Sequence, residues 1–223
     1  MIIKPQLLTD SVAFSGDFMN NKNKVVLRLA EISDAEALSL IYKPYVENTA
    51  VSFEYKAPDT EEFKSRIEAK IKEYPYIIAE YNGEIAGYAY ASQFMPRPAY
   101  KHSVETTVYI NERFHGKGIG KVLYLSLEKL LSLQNVISLN ACIAFADVPD
   151  DTLSNNSMLF HCKMGYRYVG RFNASGYKFG RFYDMIWMEK LISEPVSPID
   201  DFIPFTEVYA EAEAILSDFN GCL

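Results

Sequence analysis

Ser103 to Leu131 reads SVETTVYINERFHGKGIGKVLYLSLEKLL, and three signals follow one another along it. Residues 103–110 alternate and are rich in β-branched side chains, which predicts a strand. His115 to Lys121 is a Gly-x-Gly-x-Gly turn with lysines inside and after it. Val122, Leu123, Leu127, Leu130 and Leu131 then recur at helical spacing. A strand, a glycine turn and a helix in that order suit a phosphate. The glycines let the backbone curl, so several N–H groups face one anion over the positive end of the helix. Two commoner phosphate loops are excluded: GxxxxGK is not followed here by Ser or Thr, and the third glycine comes too early for a dinucleotide fingerprint.

Upstream, Val25–Ala30 predicts a first strand. Ser33 with Glu36 predicts a capping box that opens a helix through Leu38, Ile41 and Tyr45. Asp59 and Glu62 give a similar start ahead of Phe63, Ile67, Ile71 and Tyr74. Tyr76 to Ala91 carries Asn82-Gly83 between two apolar runs, a strong hairpin signal. Downstream, Val136–Ile143 predicts a strand, Asn155–Met164 a helix stopped by Gly165, and the chain to Leu191 a last hairpin. The order β-α-α-β-β-β-α-β-α-β-β predicts an α+β fold in three layers, with helices on a mixed central sheet.

The main domain is expected at 25–192, after an N-terminal extension at 1–24. Residues 193–223 differ in kind. They hold Glu194, Asp200, Asp201, Glu207, Glu211, Glu213 and Asp218 and no Lys or Arg, so they account for the whole net charge of −7. Pro195, Pro198 and Pro204 mark a linker, and Phe205, Val208, Tyr209, Ala212, Ile215, Leu216 and Phe219 form the apolar stripe of an acidic amphipathic helix. Docking of that helix on the core is expected ahead of a partner-binding tail. The acidic balance argues against a nucleic-acid partner, and no apolar run reaches the ~18 residues of a membrane span. Three scattered cysteines, Cys142, Cys162 and Cys222, fit a reducing cytoplasm better than a disulfide framework.

Beyond the glycine turn, five blocks stand in order: IYKPYVENTAVSFEY (41–55), AGYAYASQFMPRPAY (86–100), VETTVYI (104–110), SNNSMLFHCKMGY (154–166) and GYKFGRFYDMIWMEK (176–190). Together they resemble the phosphinothricin acetyltransferase-like branch of the GNAT superfamily of N-acetyltransferases. The resemblance implies a mostly antiparallel sheet and acetyl-CoA as cosubstrate. It implies coenzyme contacts from Val108, Tyr109 and Ile110, from His115, Gly116, Lys117, Gly118, Ile119, Gly120 and Lys121, and from Asn156 and Ser157. His115 stands where the family usually has Arg or Gln, Ser154 where it commonly has Asn, and Phe182 where it has Trp. The resemblance leaves a homodimer open, and the tail helix is the segment that would cross to a second subunit.

Acetylating an amine with a thioester requires loss of the ammonium proton, an oxyanion donor and an acid for the thiolate. Glu105 is the leading base, because a charge inside the apolar strand VETTVYI is costly unless used or paired. Burial would raise its pKa toward neutrality. Glu54 is the second carboxylate, able to position the amine or share the base role. Counted back from Gly165, His161 occupies the place where many relatives carry an acidic tyrosine, and an imidazole can do the same work. The resemblance implies an oxyanion donor from a backbone N–H near Val108. No metal is expected, since His102, His115 and His161 lack ligand spacing. For an acceptor anion, Arg97 and Tyr100 in MPRPAY and Tyr177 and Lys178 in GYKFGR are the candidates. The expected activity is N-acetylation of a small amino-acid-like amine, of the phosphinothricin or methionine-derivative type. A protein or peptide amine, or a non-catalytic coenzyme A-binding module, are the alternatives.

Overall fold

The computed structural model describes residues 24–220. Cys222 and all but Lys24 of the expected N-terminal extension lie outside the described residues. The chain runs β1 (Val25–Leu29), α1 (Ala35–Asn48), α2 (Thr60–Ile71), β2 (Tyr76–Tyr81), β3 (Glu84–Gln93), β4 (Ser103–Ile110), α3 (Ile119–Leu133), β5 (Ser138–Phe145), α4 (Asn156–Lys163), β6 (Arg167–Lys178), β7 (Arg181–Leu191) and α5 (Tyr209–Phe219).

The seven strands make one sheet in the order β1-β2-β3-β4-β5-β7-β6. Only β4 and β5 are parallel neighbours; the other pairs are antiparallel. Asn82 and Gly83 both take positive φ in the β2–β3 turn, as a two-residue hairpin of this hand demands. On one face α1 and α2 cover Tyr76, Ile78 and Tyr88. On the other, α3 and α5 cover Val25, Leu27, Ile77 and Ala79. Because β2 lies under helices on both faces, its sequence reads as an apolar run and not as an alternation.

The pairing of β4 with β5 decides where a site can form. It lasts three residues, from Ser103↔Ser138 to Glu105↔Asn140. Beyond Glu105, β4 continues to pair with β3 as far as Ile110 while β5 pairs with β7. A wedge therefore opens in the middle of the sheet. On the β3 side there is no slack: a Cβ on Gly87 would fall 2.7 Å from the Tyr109 carbonyl oxygen.

Two local expectations need correction. Ser33 does not cap α1. A 3-10 turn (Ile32–Asp34) precedes the helix, and Asp34 accepts the Glu31 N–H at 2.7 Å while Arg28 grips its carboxylate at two oxygens, 2.8 Å each. The paired acid outcompetes the hydroxyl, whose own bond goes to Glu31. β5 begins at Ser138, since Asn135 at positive φ and the Val136 N–H to Leu131 carbonyl bond close the end of α3. Asp59 does cap α2, accepting from the Glu62 N–H at 2.9 Å.

The tail folds back. Phe205, Val208, Ala212 and Leu216 are buried in the same cluster as α3, and Asn220 Oδ1 accepts the Leu27 N–H of β1 at 2.7 Å. Gln134 Nε2 holds the linker by the Ile203 carbonyl at 2.8 Å. Most of the stripe read from the sequence is thus spent on the chain's own core, while Tyr209 stays exposed.

Candidate active site

The glycine turn is built as a cradle. Gly116 and Gly118 have φ of 74° and 79°, a region that side chains with a Cβ enter only at a cost. Gly118 is the N-cap of α3, whose first N–H groups have no carbonyl within the helix to receive them. Between the turn, the end of β4 and α4 lies a cavity of about 590 Å³. All twelve residues named above for the coenzyme line it, together with Ser154 and Lys163. Asn155 does not, because its amide is bonded both ways to Ala146, at 2.9 and 3.4 Å. His115 turns its ring back toward the strand. Its Nε2 lies 2.9 Å from the Tyr45 hydroxyl and 3.1 Å from the Ile110 carbonyl, leaving Lys117 and Lys121 as the exposed cations of the turn.

A second cavity, about 220 Å³, sits in the wedge. It shares Val51, Val108, Tyr109 and Ser157 with the first and is also lined by Glu105, Tyr124, Cys142 and His161. Glu105 is half-buried, and its carboxylate forms no hydrogen bond or ion pair with any described residue. Burial raises its pKa, and the charge of Lys70 only partly offsets this. His161 is buried, and burial lowers its pKa against the bond to Ser157. Its Nδ1 lies 2.7 Å from the Ser157 carbonyl, an obligate acceptor, so Nδ1 carries the proton. Nε2 then accepts from the Tyr124 hydroxyl at 2.9 Å. Sequence reasoning missed Tyr124; its place on a predicted apolar helix face gave no signal apart from a hydroxyl in a core.

A third cavity of about 210 Å³ adjoins the second through Tyr90 and Tyr109. Five tyrosines and Phe63 wall it, with Glu54, Arg66 and Lys70. Glu54 is not an open base. Arg66 donates to both its oxygens at 2.8 and 3.1 Å and Tyr42 donates at 3.0 Å. Burial pushes the Glu54 carboxyl up, but those bonds outweigh it and hold the group below the usual range.

The four residues expected at the acceptor lie elsewhere, and none lines these three cavities. Lys178 is 3% exposed, and its ammonium donates to the Val46, Thr49 and Ser52 carbonyls at 2.6, 2.8 and 2.6 Å. All three protons are used; it is a latch between β6 and the end of α1. Tyr177 packs its ring on Phe182 at the surface. Tyr100 stacks edge-on against Phe94, and Arg97 is exposed. Among the described residues no group of three or more His, Cys, Asp or Glu could hold a metal ion.

Residues 27–187 match the family model described as an acetyltransferase (GNAT) domain. The chain belongs to the GNAT family. A phosphinothricin N-acetyltransferase of Streptomyces viridochromogenes is 31% identical over 177 residues, 79% of this chain and 93% of that protein. An L-methionine sulfoximine/L-methionine sulfone acetyltransferase of Salmonella typhimurium is 26% identical, over 78% of this chain and 98% of that protein. Among solved structures, a GNAT superfamily phosphinothricin acetyltransferase from Sinorhizobium meliloti in complex with AcCoA superposes with a TM-score of 0.71 at 28% identity, covering 81% of this chain and 98% of the other. This GNAT chain is accordingly an N-acetyltransferase, and the glycine turn, cavity and exposed lysines fit acetyl-CoA. No helix among the described residues is long and apolar enough to cross a membrane.

Proposed function

We propose that this GNAT enzyme transfers the acetyl group of acetyl-CoA directly to the amino group of a small amino-acid-like acceptor. The observation that carries the reading is that the three cavities adjoin. The coenzyme groove shares Val51, Val108, Tyr109 and Ser157 with the wedge that holds Glu105 and the Tyr124–His161 pair, and the wedge shares Tyr90 and Tyr109 with a small tyrosine-walled chamber. Acetyl-CoA supplies a thioester carbonyl. Glu105, ionised but raised toward neutrality, accepts the ammonium proton. A backbone N–H of β4 near Val108, freed by the wedge, is the oxyanion donor. Of the hydroxyls that line the wedge, that of Tyr124 is bonded to His161; it gives its proton to the departing sulfur, the neutral His161 orients it, and the phenolate regains a proton from water once the products leave. Although the Cys142 side chain reaches solvent, enclosure in the wall and the Glu105 charge push its thiol up to about 12. That speaks against an acetyl-cysteine intermediate.

The small, 210 Å³ chamber favours a small acceptor over a peptide; it is smaller than the ~300 Å³ lower bound of drug-sized sites. The test is thiol release from acetyl-CoA with a panel of amino acids, their sulfone, sulfoximine and phosphinate analogues, polyamines and short peptides. Turnover confined to amino-acid-like compounds supports the reading; turnover on peptides alone overturns it. The acidic balance supports no nucleic-acid partner, and two free cysteines among the described residues support a reducing compartment such as the cytoplasm. Val208, Ala212 and Leu216 of the tail stripe are already buried against the chain's own core, which leaves little of that stripe for a homodimer contact.

A further inference from the structure

We propose that Lys70 is the carboxylate anchor of the acceptor site, forming with Glu105 a pair of opposite charges that receives the two ends of a zwitterionic amino acid. The inference rests on the proposed function and extends it to a residue that the resemblance does not assign.

Lys70 sits in the last turn of α2 and lines the tyrosine-walled chamber. Its Nζ lies 5.3 Å from the centroid of the Tyr90 ring, and Tyr90 walls both the chamber and the wedge. The other charges of the chamber are spoken for. Arg66 grips both oxygens of Glu54 and bonds Glu62 at 2.5 Å. The Lys70 ammonium forms no hydrogen bond or ion pair with any described residue, so it is the one cation of the chamber open to a ligand. A half-buried, unpaired ammonium is costly to keep; burial and the like charge of Arg66 hold it below the ordinary lysine range while Glu105 pulls the other way. Glu105 and Lys70 thus feel each other across the boundary of the two cavities.

The charges of an α-amino acid are one carbon apart, so the group that binds its carboxylate must stand close to the base that takes its proton. Arg97 and Lys178 line none of the three cavities, whereas Lys70 lines the chamber that adjoins the wedge of Glu105 through Tyr90 and Tyr109. Both Lys70 and Glu105 are half-buried, and an ion pair made by a partly buried charge is screened less than one at the surface.

The test compares L-methionine sulfone with its carboxamide, on the full-length chain and on Lys70→Gln and Lys70→Arg. Steady-state kcat/KM is read with acetyl-CoA, and equilibrium binding by calorimetry with coenzyme A present. The unsubstituted chain should favour the acid over the amide by at least tenfold. Lys70→Gln should bring that ratio close to one, chiefly by a 10- to 100-fold loss on the acid, with KM for acetyl-CoA and the melting temperature unmoved. Lys70→Arg should restore most of the preference. Equal losses on acid and amide, or an unchanged ratio, overturn the assignment. Absence of thiol release would instead count against the proposed transfer. Calorimetry would still decide the anchor: acid binding that depends on Lys70 upholds it, and binding indifferent to Lys70, or no binding, overturns it.

Discussion

At the scale of single residues, Glu105 is held in a state that serves chemistry at the expense of stability. Its pKa is raised above the ordinary 4.5 by burial, so the fold favours the protonated form. Stability from this group is fully present below 4.5 and is lost as pH rises through the raised value. Catalysis has the opposite sign, because only the ionised form accepts a proton. The acid limb of kcat/KM should therefore lie above pH 4.5, with activity rising through it to a plateau. Glu105→Gln should lower kcat by ~10²–10⁴, abolish that limb, and raise the melting temperature at pH 7. A variant that keeps full turnover, or melts lower than the unsubstituted chain, would count against this account. The Tyr124–His161 pair makes a second prediction. Tyr124→Phe and His161→Asn should each depress kcat about tenfold or more with little change in KM for acetyl-CoA. If the two act as one unit, the double variant should be hardly worse than either single one, which a double-mutant cycle reads directly.

At the scale of elements, the cavity beside the glycine turn was legible in the sequence and the tyrosine-walled chamber was not. The glycine turn, β4 and the start of α4 are local: a strand, a turn with obligatory glycines and two helix starts follow each other within sixty residues. All twelve positions fall around one cavity. Gly118→Ala should test the turn. Forcing a Cβ into left-handed backbone at the N-cap costs ~1–2 kcal/mol, and KM for acetyl-CoA should rise while kcat moves less. The acceptor chamber, by contrast, is assembled from α1, α2, β2, β3 and β4. Which tyrosine faces inward depends on register and helix packing that no short pattern encodes. Lys178 shows the cost of reading charge without burial, since its cation is consumed by three main-chain carbonyls. Lys178→Met should leave those carbonyls unpaired at about 1–3 kcal/mol for each buried group, visible as a lower denaturation midpoint. An unchanged midpoint would show that water replaces the latch.

For the whole molecule, α5 matters as a cover. It closes the α3 face and, through Asn220, bonds the outer side of β1, which would otherwise be an open edge. Removing everything after Ile192 strips Phe205, Val208 and Leu216 from the core. At ~1.5–3 kcal/mol for each fully buried side chain, the loss should be on the order of 5 kcal/mol and the truncated chain should melt far lower or precipitate. A truncated chain that melts with the full one would mean that α5 is dispensable. The wedge between β4 and β5 has a consequence of another kind. From Thr106 to Ile110, β4 has a hydrogen-bonded neighbour on the β3 side alone, so the molecule carries a sheet edge in its interior. Edges of that sort recruit strands from other chains, and a domain that needs one for catalysis must keep it occupied or keep it narrow. The cosubstrate, whose arm carries amide groups of its own, would then act as a guard against self-association. Amides 106–110 should exchange with deuterium faster in the empty enzyme than in the loaded one, and aggregation on warming should slow as acetyl-CoA is added, beyond what added thermal stability alone explains.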